Sequence, residues 1–215
     1  MGNGSTITGN QRSITNNTGG GGVRINSGIF EMTGGMISDN SAQSGGGVYF
    51  DRGTFTMSGG TITSNTARNG GGLYIPNSSG TGAIRTFTIS GGTISNNTAG
   101  ERGGGVFIGN VNTFNMRGGT ITGNTATSVG GGVFIANLPT FNKTGGTITG
   151  YNSDQQNGNV VKDEGGNVVA RRGHAIAVTA RADYSDTITH RKETTAGPTA
   201  NLSASYDGRS GAWDD

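Results

Sequence analysis

Residues 45–65 read Gly-Gly-Gly-Val-Tyr-Phe-Asp-Arg-Gly-Thr-Phe-Thr-Met-Ser-Gly-Gly-Thr-Ile-Thr-Ser-Asn, and variants of this phrase occur five times along the chain. The five glycine triplets end 25, 25, 33 and 27 residues apart, at Gly22, Gly47, Gly72, Gly105 and Gly132. A repeat of nearly fixed length is typical of a solenoid, in which each unit buries its apolar face against the next unit. The sequence therefore predicts a solenoid.

Within each repeat, apolar residues alternate with polar ones, which is the period of a β-strand and not of a helix. In the second copy this alternation predicts three short strands, Val48 to Phe50, Phe55 to Met57 and Thr61 to Thr63, each bounded by Gly, Asn or Ser. The predicted fold class is all-β. It is a right-handed parallel β-helix of about seven coils, with three short strands in each coil and an irregular C-terminal cap.

Three segments of the chain differ in regularity. Residues 1–150 are predicted to form the regular coils, and the long third spacing places an inserted loop at residues 76–85. Residues 151–196 are predicted to form degenerate final coils with a second loop, at residues 151–170. Because the end of a solenoid must cover its open core, residues 197–215 are predicted to fold over the last coil as a capping tail that includes Leu202, Tyr206 and Trp213.

Stacked coils place equivalent residues above one another, about 4.8 Å apart, so each column of the repeat becomes a ladder in space. The predicted inward ladders are Val23, Val48, Leu73, Val106 and Val133; Ile25, Phe50, Ile75, Ile108 and Ile135; Phe30, Phe55, Phe87, Phe114 and Phe141; Met32, Met57, Ile89 and Met116; and Ile37, Ile62, Ile94, Ile121 and Ile148. Lys143 interrupts the fourth ladder and is interpreted as the edge of regular packing. Asn recurs in the same way. Asn40, Asn65, Asn97 and Asn124 are predicted to form a hydrogen-bonded ladder at a corner of the coil.

Aromatic residues form the first candidate binding surface. The residue between the two inward positions of the opening strand is Arg24 in the first copy and aromatic in the next four, Tyr49, Tyr74, Phe107 and Phe134. Exposed rings stacked in this way form a flat apolar strip, which is typical of a contact surface. The alternatives are that the strip stacks against sugar rings, pairs with another molecule, or lies beneath the protein's own loops.

Threonine forms the second candidate surface. The residues are Thr61, Thr63, Thr93, Thr120, Thr122, Thr147 and Thr149, which flank the inward Ile of each copy. Their spacing resembles the Thr-x-Thr faces of ice-binding β-solenoids, so ice binding is one alternative function. The other interpretation is that Thr is the polar residue best suited to a solvated strand.

Composition argues against several classes of function. The 30% hydrophobic content suits a thin coil with a polar exterior, and the absence of Cys excludes disulfides and thiolate chemistry. The formal net charge is +2 without a basic stripe, and no apolar stretch is long enough to cross a membrane, so neither nucleic-acid binding nor membrane insertion is predicted. The amino end has no signal-peptide layout, and we expect that an export signal has been removed.

Acidic residues are too scattered to predict an active site. The regular coils carry Glu31, Asp39, Asp51 and Glu101, which belong to different columns, whereas glycoside hydrolysis needs two carboxylates facing one bond. In the irregular end Asp183, Asp186 and His190 are the one candidate cluster. The calcium-binding nonapeptide and a His ligand spacing are lacking. The chain is predicted not to be an enzyme, with no catalytic, cofactor-binding or metal-binding residues; a polysaccharide-processing β-helix is kept as an alternative.

Residues 96–108 read Asn-Asn-Thr-Ala-Gly-Glu-Arg-Gly-Gly-Gly-Val-Phe-Ile, and residues 118–124 read Gly-Gly-Thr-Ile-Thr-Gly-Asn. These segments resemble the parallel β-helix repeats of the chlamydial polymorphic outer-membrane proteins and of glycine-rich spirochaete surface proteins. The chain has Ile-x-x-Asn where the chlamydial motif has Phe-x-x-Asn. The resemblance implies an adhesive or structural protein located outside the cell or on the bacterial surface.

Together these features predict a non-enzymatic β-helix that acts as an adhesive or structural rod. The expected partners are a glycan or protein at a cell surface, or further copies of the chain. The last case is a distinct alternative, because a solenoid with exposed end coils can stack end to end into a fibre.

Overall fold

The computed structural model describes residues 1–12, 19–76, 85–109, 113–136, 140–152, 154–169, 172–179, 190–191 and 211–213. Within these ranges all regular structure is β-strand. The strands are β1 (Thr6–Thr8), β2 (Val23–Ile25), β3 (Ile29–Ser38), β4 (Ser41–Ser44), β5 (Val48–Phe50), β6 (Gly53–Thr63), β7 (Thr66–Asn69), β8 (Leu73–Ile75), β9 (Arg85–Ile89), β10 (Thr93–Ser95), β11 (Thr98–Arg102), β12 (Val106–Ile108), β13 (Thr113–Thr122), β14 (Thr125–Ala126), β15 (Val133–Ala136), β16 (Thr140–Ile148), β17 (Val160–Val161), β18 (Ile176–Thr179), β19 (His190–Arg191) and β20 (Gly211–Trp213).

The strands form three sheets. Sheet A contains β1, β3, β6, β10, β13 and β16 in that order, with β9 between β6 and β13; sheet B contains β4, β7, β11, β14 and β17; sheet C contains β2, β5, β8, β12, β15 and β18, followed by β20 and β19. The chain visits C, A and B in turn, and successive visits pair in parallel. The fold is therefore a parallel β-helix, as predicted, with five complete coils and a partial coil at each end among the described strands.

The assignment of the three strands to the coil differs from the prediction. The predicted second and third strands, Phe55 to Met57 and Thr61 to Thr63, both belong to β6 in sheet A. Between them the register with β3 shifts at a bulge, where Gly60 has a φ of 82°, a conformation that glycine adopts without strain. The true third strand is β7, which follows Asn65 and was not predicted.

The sequence pattern did not predict sheet B because the inward residues of this sheet are small. The inward column consists of Ala42, Ala67, Ala99 and Ala126, with Val161 in the last coil. All five side chains are buried. Alanine does not produce the alternation of large apolar and polar residues by which a strand is recognised, so a sequence pattern dominated by Phe, Met and Ile conceals this sheet.

The core consists of the predicted inward ladders, stacked in register. Phe55, Phe87, Phe114 and Phe141 follow one another, and the ring centroids of Phe87 and Phe114 lie 4.9 Å apart. The column that contains Met116 continues to Lys143, which is 6% exposed and donates from Nζ to Gly146 O at 2.8 Å. Burial lowers the pKa of Lys143. Lys143 therefore stays in register with the core and satisfies its ammonium group on a backbone carbonyl.

A ladder of Asn side chains lies at the corner between sheets A and B. In each coil the amide Nδ2 donates to the Oδ1 of the next Asn, at 3.0 Å from Asn65 to Asn97 and 2.9 Å from Asn97 to Asn124. The backbone N–H of each also donates to that same oxygen, and Nδ2 donates a second bond to the Ile carbonyl of the preceding coil. The predicted ladder is confirmed, and it extends to Asn10 and Asn159, which were not predicted.

Glycine is required at the corner between sheets B and C because there is no room for a side chain. A Cβ on Gly104 would lie 2.5 Å from Thr125 O and would also overlap Gly131 O. In the last described coil His174 takes the position of this middle glycine. Its imidazole is buried, and Nδ1 accepts a hydrogen bond from the Val161 N–H at 2.9 Å.

Candidate binding surfaces

Sheet A presents a broad outer face built from columns of short polar side chains. Strand pairing places equivalent residues side by side, so each outward position repeats once per coil. From the second to the fifth coil the four outward columns are Thr54, Thr86 and Thr113; Thr56, Thr88, Asn115 and Asn142; Thr61, Thr93, Thr120 and Thr147; and Thr63, Ser95, Thr122 and Thr149. Every member is Thr, Ser or Asn, so these columns contain no charge.

The predicted Thr residues supply half of this face. Thr61, Thr93 and Thr120 are paired in one column, and Thr63 lies in the next column opposite Ser95. Most of these side chains are half-buried by their neighbours, while Thr147 is exposed. The other two columns were missed, although Thr one position before each core Phe gave a readable signal.

Three features limit the regularity of the sheet A face. In the first coil the columns carry Ile29, Glu31 and Met36 in place of Thr, and Ile29 is 76% exposed. At the bulge of the fourth coil Arg117 adds an exposed positive charge. Near the C-terminal end, Thr122 Oγ1 donates to Asn157 O at 2.5 Å, so the segment after Tyr151 lies against the edge of the face.

The aromatic strip is stacked as predicted, but half of it is not exposed. Ring centroids lie 5.6 Å apart for Tyr49 and Tyr74, 4.7 Å for Tyr74 and Phe107, and 5.1 Å for Phe107 and Phe134. Phe107 and Phe134 are each 2% exposed and pack in a satellite cluster with Val129, Ala136 and Ala177. At Phe107 and Phe134 the structure therefore agrees with the alternative in which other parts of the chain cover the strip, and these two rings are not part of an exposed surface.

The first half of the strip is partly covered as well. Tyr49 and Tyr74 are half-buried. Gly19 lies against the Tyr49 ring so closely that a Cβ there would overlap it, and the Arg24 guanidinium lies 4.8 Å from the ring centroid. Burial and the nearby Asp51 carboxylate raise the pKa of the Tyr49 hydroxyl, and Arg24 and Arg85 oppose this increase. The strip therefore acts as an outer packing layer of sheet C.

Two groups of charged side chains in the regular coils form ion pairs. Glu101 Oε1 accepts hydrogen bonds from Arg68 Nε at 2.8 Å and from Arg68 Nη2 at 2.6 Å. Asp51 lies 3.6 Å from Arg85 Nη2 and 3.5 Å from Arg52 Nε. In the described part of the chain no three His, Asp or Glu side chains are grouped as metal ligands. Asp183 and Asp186 lie outside the described residues, as do Leu202, Tyr206 and residues 77–84 of the loop predicted at residues 76–85.

Across the described residues, no helix is long and apolar enough to span a membrane. Comparisons with models of known protein families, with curated proteins and with solved structures gave no match to this chain.

Proposed function

We propose that this protein is a non-enzymatic β-helix, located outside the cell or on a bacterial surface, that acts as an adhesive or structural rod. In this proposal the outer face of sheet A is the contact surface, and its partner is a glycan or protein at a cell surface. The observation that carries the proposal is the array of Thr, Ser and Asn in four uncharged columns of sheet A, beside which Arg117 at the bulge of the fourth coil adds one charge.

The chemistry of this array suits weak contacts repeated along a rod. Hydroxyl and amide groups both donate and accept hydrogen bonds. Thr is branched at Cβ, so its side chain loses little rotamer freedom when it is held against a partner. A single contact of this kind contributes little, but repetition along a rigid surface raises the apparent affinity for an extended ligand through effective concentration.

Charge insertion into the face tests the proposal. We would compare Thr93→Lys/Thr120→Lys, on sheet A, with Thr98→Lys/Thr125→Lys, which adds the same charges to the same two coils on the outer face of sheet B. The readout is co-sedimentation with insoluble cellulose, chitin and bacterial peptidoglycan, and retention on immobilised host matrix proteins. We expect at least one of these supports to retain the unmodified chain and the sheet B variant, and to lose the sheet A variant.

Two outcomes would contradict the proposed contact surface. Equal retention of both variants would remove sheet A from the interface, and failure of every support to retain the unmodified chain would remove the adhesive function. Circular dichroism of both variants shows whether the coil is intact.

Ice binding is a second candidate for the same surface. The column of Thr61, Thr93, Thr120 and Thr147 and the column of Thr63, Ser95, Thr122 and Thr149 lie two residues apart along parallel strands, and the spacing between strands repeats each column about every 4.8 Å. The test is thermal hysteresis of the purified chain, with Thr93→Lys/Thr120→Lys as the control. A difference between the melting and freezing temperatures that the variant abolishes supports ice binding, whereas the absence of such a difference at millimolar protein excludes it.

End-to-end assembly is less favoured than a single rod. β20 pairs with β18 in antiparallel orientation, so the last parallel strand of sheet C already has a neighbour on its outer side. A paired edge cannot accept a strand of another molecule. Electron microscopy over a range of concentrations is expected to show short separate rods, and continuous fibres would favour the assembly alternative.

A further inference from the structure

The outer face of sheet B contains a groove that the proposed function does not use. It has a volume of about 430 Å³ and crosses β4, β7 and β11, with Ser41, Gln43, Thr66, Arg68 and Gly100 along it. Side chains alternate across a strand, and those of Ala42 and Ala67 face the core, so the floor of the groove between the polar side chains is backbone. Its size falls in the range of about 300–1,000 Å³ that is usual for small-ligand sites.

The groove exists because one column lacks a side chain. Gln43 and Arg68 are followed in the next coil by Gly100, at a β-bulge where the register between β7 and β11 shifts. A Cβ on Gly100 would have no neighbour closer than 3.8 Å, and the residue is not in a left-handed conformation. Neither space nor backbone geometry therefore requires glycine here, in contrast to Gly104.

Two buried acceptors at this place have no partner among the described residues. They are Oε1 of Gln43, which lines the groove, and Oδ1 of Asn69, which follows Arg68 along β7. A buried amide oxygen without a hydrogen bond costs about 1–3 kcal/mol. Because Gln43 Oε1 is itself buried, a ligand hydroxyl reaches it only when the Gln43 side chain turns its amide towards the groove, whereas Ser41 and Thr66 offer hydroxyl groups on the other side of the groove.

The charges at the groove are already balanced. Arg68 is the cationic residue that lines it, and both Nε and Nη2 of Arg68 donate to Glu101. Asn69 Nδ2 donates to the second Glu101 oxygen at 3.3 Å, and Arg102 Nη1 lies 3.4 Å from that oxygen. A carboxylate or phosphate ligand would have to compete with Glu101 for Arg68, whereas a neutral ligand leaves the pair in place.

We infer that this groove binds a neutral pyranose unit of a glycan. The ring faces of such a sugar pack on the backbone floor of the groove, and its hydroxyl groups accept from Ser41, Thr66 and Arg68. One hydroxyl donates to Gln43 Oε1 after the Gln43 side chain has turned towards the groove. The inference deepens the proposed adhesive function by naming a ligand class, but it uses sheet B, so the two proposals fail independently.

The test uses the full chain labelled with ¹⁵N and titrated with neutral hexasaccharides, namely cellohexaose, laminarihexaose, chitohexaose and mannohexaose. Hexagalacturonate is the acidic probe. Binding is followed by the backbone amide of Gly100 and the side-chain amide of Gln43. We expect saturable shifts at both positions with at least one neutral probe, and weaker or no shifts with the acidic one.

The decisive variant is Gly100→Leu, which adds a side chain to the groove at a position where a Cβ would meet no atom closer than 3.8 Å. Its matched control is Thr98→Leu, a similar addition to the same strand outside the groove. Gly100→Leu is expected to weaken binding of the neutral probe about tenfold or more, equivalent to at least about 1.4 kcal/mol, and Thr98→Leu to change it less than about twofold. Thermal unfolding shows whether Gly100→Leu is folded.

The inference is overturned if no neutral probe shifts these amides, which would leave water alone as the partner of Gln43. It is also overturned if only hexagalacturonate binds, or if a folded Gly100→Leu binds as the unmodified chain does. Thr93→Lys/Thr120→Lys should keep the oligosaccharide response. Loss of retention on insoluble supports in that variant with the response intact separates the sheet A proposal from this one.

Discussion

The middle coils and the C-terminal end of the described coils use the same columns with different residues. The core column of Met57, Ile89 and Met116 becomes Lys143 in the fifth coil, and the middle glycine of the triplet becomes His174 in the partial coil that follows. The Asn ladder, in contrast, continues unchanged to Asn159, whose Oδ1 accepts from Asn124 Nδ2 at 2.7 Å. One apolar column and the glycine column thus change at the end of the regular array, while the hydrogen-bonded corner does not.

The Asn column differs from the core columns because its side chains form hydrogen bonds between coils. Each ladder Asn connects two coils, because its oxygen accepts from one neighbour and its nitrogen donates to another and to a buried Ile carbonyl. A buried polar group left without its partner is costly, so each rung depends on the next. An apolar core side chain makes no such directional bond. At the C-terminal end, Lys143 donates a hydrogen bond to Gly146 O, and His174 accepts one from the Val161 N–H.

The largest effect is expected when a middle coil receives a side chain at the position where the last coil has His174. Gly104→Ala places a Cβ against the backbone carbonyls of Thr125 and Gly131, neither of which can move without breaking the sheet. We expect a loss of at least about 4 kcal/mol in the free energy of unfolding, or no folded protein. Gly100→Ala is the control and should change stability by less than about 1 kcal/mol. Urea denaturation followed by circular dichroism measures both, and equal stability would contradict the proposed role of the triplet.

The second prediction concerns the column that the two regions share. Asn97→Ala removes an acceptor for the Asn65 backbone and side-chain N–H groups and a donor to Asn124. We expect a loss of about 3–5 kcal/mol, since each orphaned group costs about 1–3 kcal/mol. Asn159→Ala should cost nearly as much. Asn115→Ala, on the outer face of sheet A, removes one half-buried bond to Asn142 and should cost less than about 1 kcal/mol. If Asn97→Ala and Asn115→Ala unfold at the same urea concentration, the corner ladder is not a main source of stability.

The third prediction compares the two ends of the aromatic strip. Phe134→Ser opens a cavity beside Val129 and Ala177 and should destabilise by about 3 kcal/mol. Tyr49→Ser removes a half-buried ring and should cost about 1 kcal/mol. Thermal unfolding of the two variants measures the difference. A larger loss from Tyr49→Ser would mean that the strip is not a packing layer whose burial increases towards the later coils.

The smallest effect is expected when the core column is restored in the last coil. Lys143→Met replaces a buried ammonium with the residue found at Met116 and should stabilise by about 1 kcal/mol near neutral pH. Because the pKa of Lys143 is lowered in the folded chain, the folded state binds fewer protons, and the stability of the unmodified chain should rise as pH increases towards the ordinary lysine value of about 10.4.

The advantage of Lys143→Met should therefore shrink between pH 8 and pH 10.5. Urea denaturation at several pH values measures the difference in the free energy of unfolding between Lys143→Met and the unmodified chain. A difference that is constant over this range would show that folding does not desolvate the ammonium group.

The columns were predictable from the sequence because each of them repeats a residue type at a nearly constant spacing. Phe87 and Asn97 could be placed in their ladders without coordinates, although an insertion precedes Phe87. Sheet B was missed because Ala67 is inconspicuous, and the continuous β6 was divided because Gly59 and Gly60 resemble a turn.

The surfaces were less predictable than the core. Phe107 is buried in a cluster that includes Val129 and Ala177, which belong to later coils, and the repeat pattern does not predict this burial. The sheet B groove depends on a bulge and on the pairing of Arg68 with Glu101. These features arise where one coil differs from the next. A repeat pattern shows only what the coils share, so it does not predict them.

The most direct test of this account is NMR observation of the Asn side-chain amides in a chain labelled with ¹³C and ¹⁵N. Asn65, Asn97 and Asn124 lie 32 and 27 residues apart along the chain, and their side chains are within hydrogen-bond distance. The account predicts nuclear Overhauser contacts between the NH₂ groups of successive Asn residues, and slow exchange of these protons with solvent. Asn side-chain amides that exchange freely and show no contact between successive coils would contradict the ladder and the coil stacking on which the sheet A face and the groove depend.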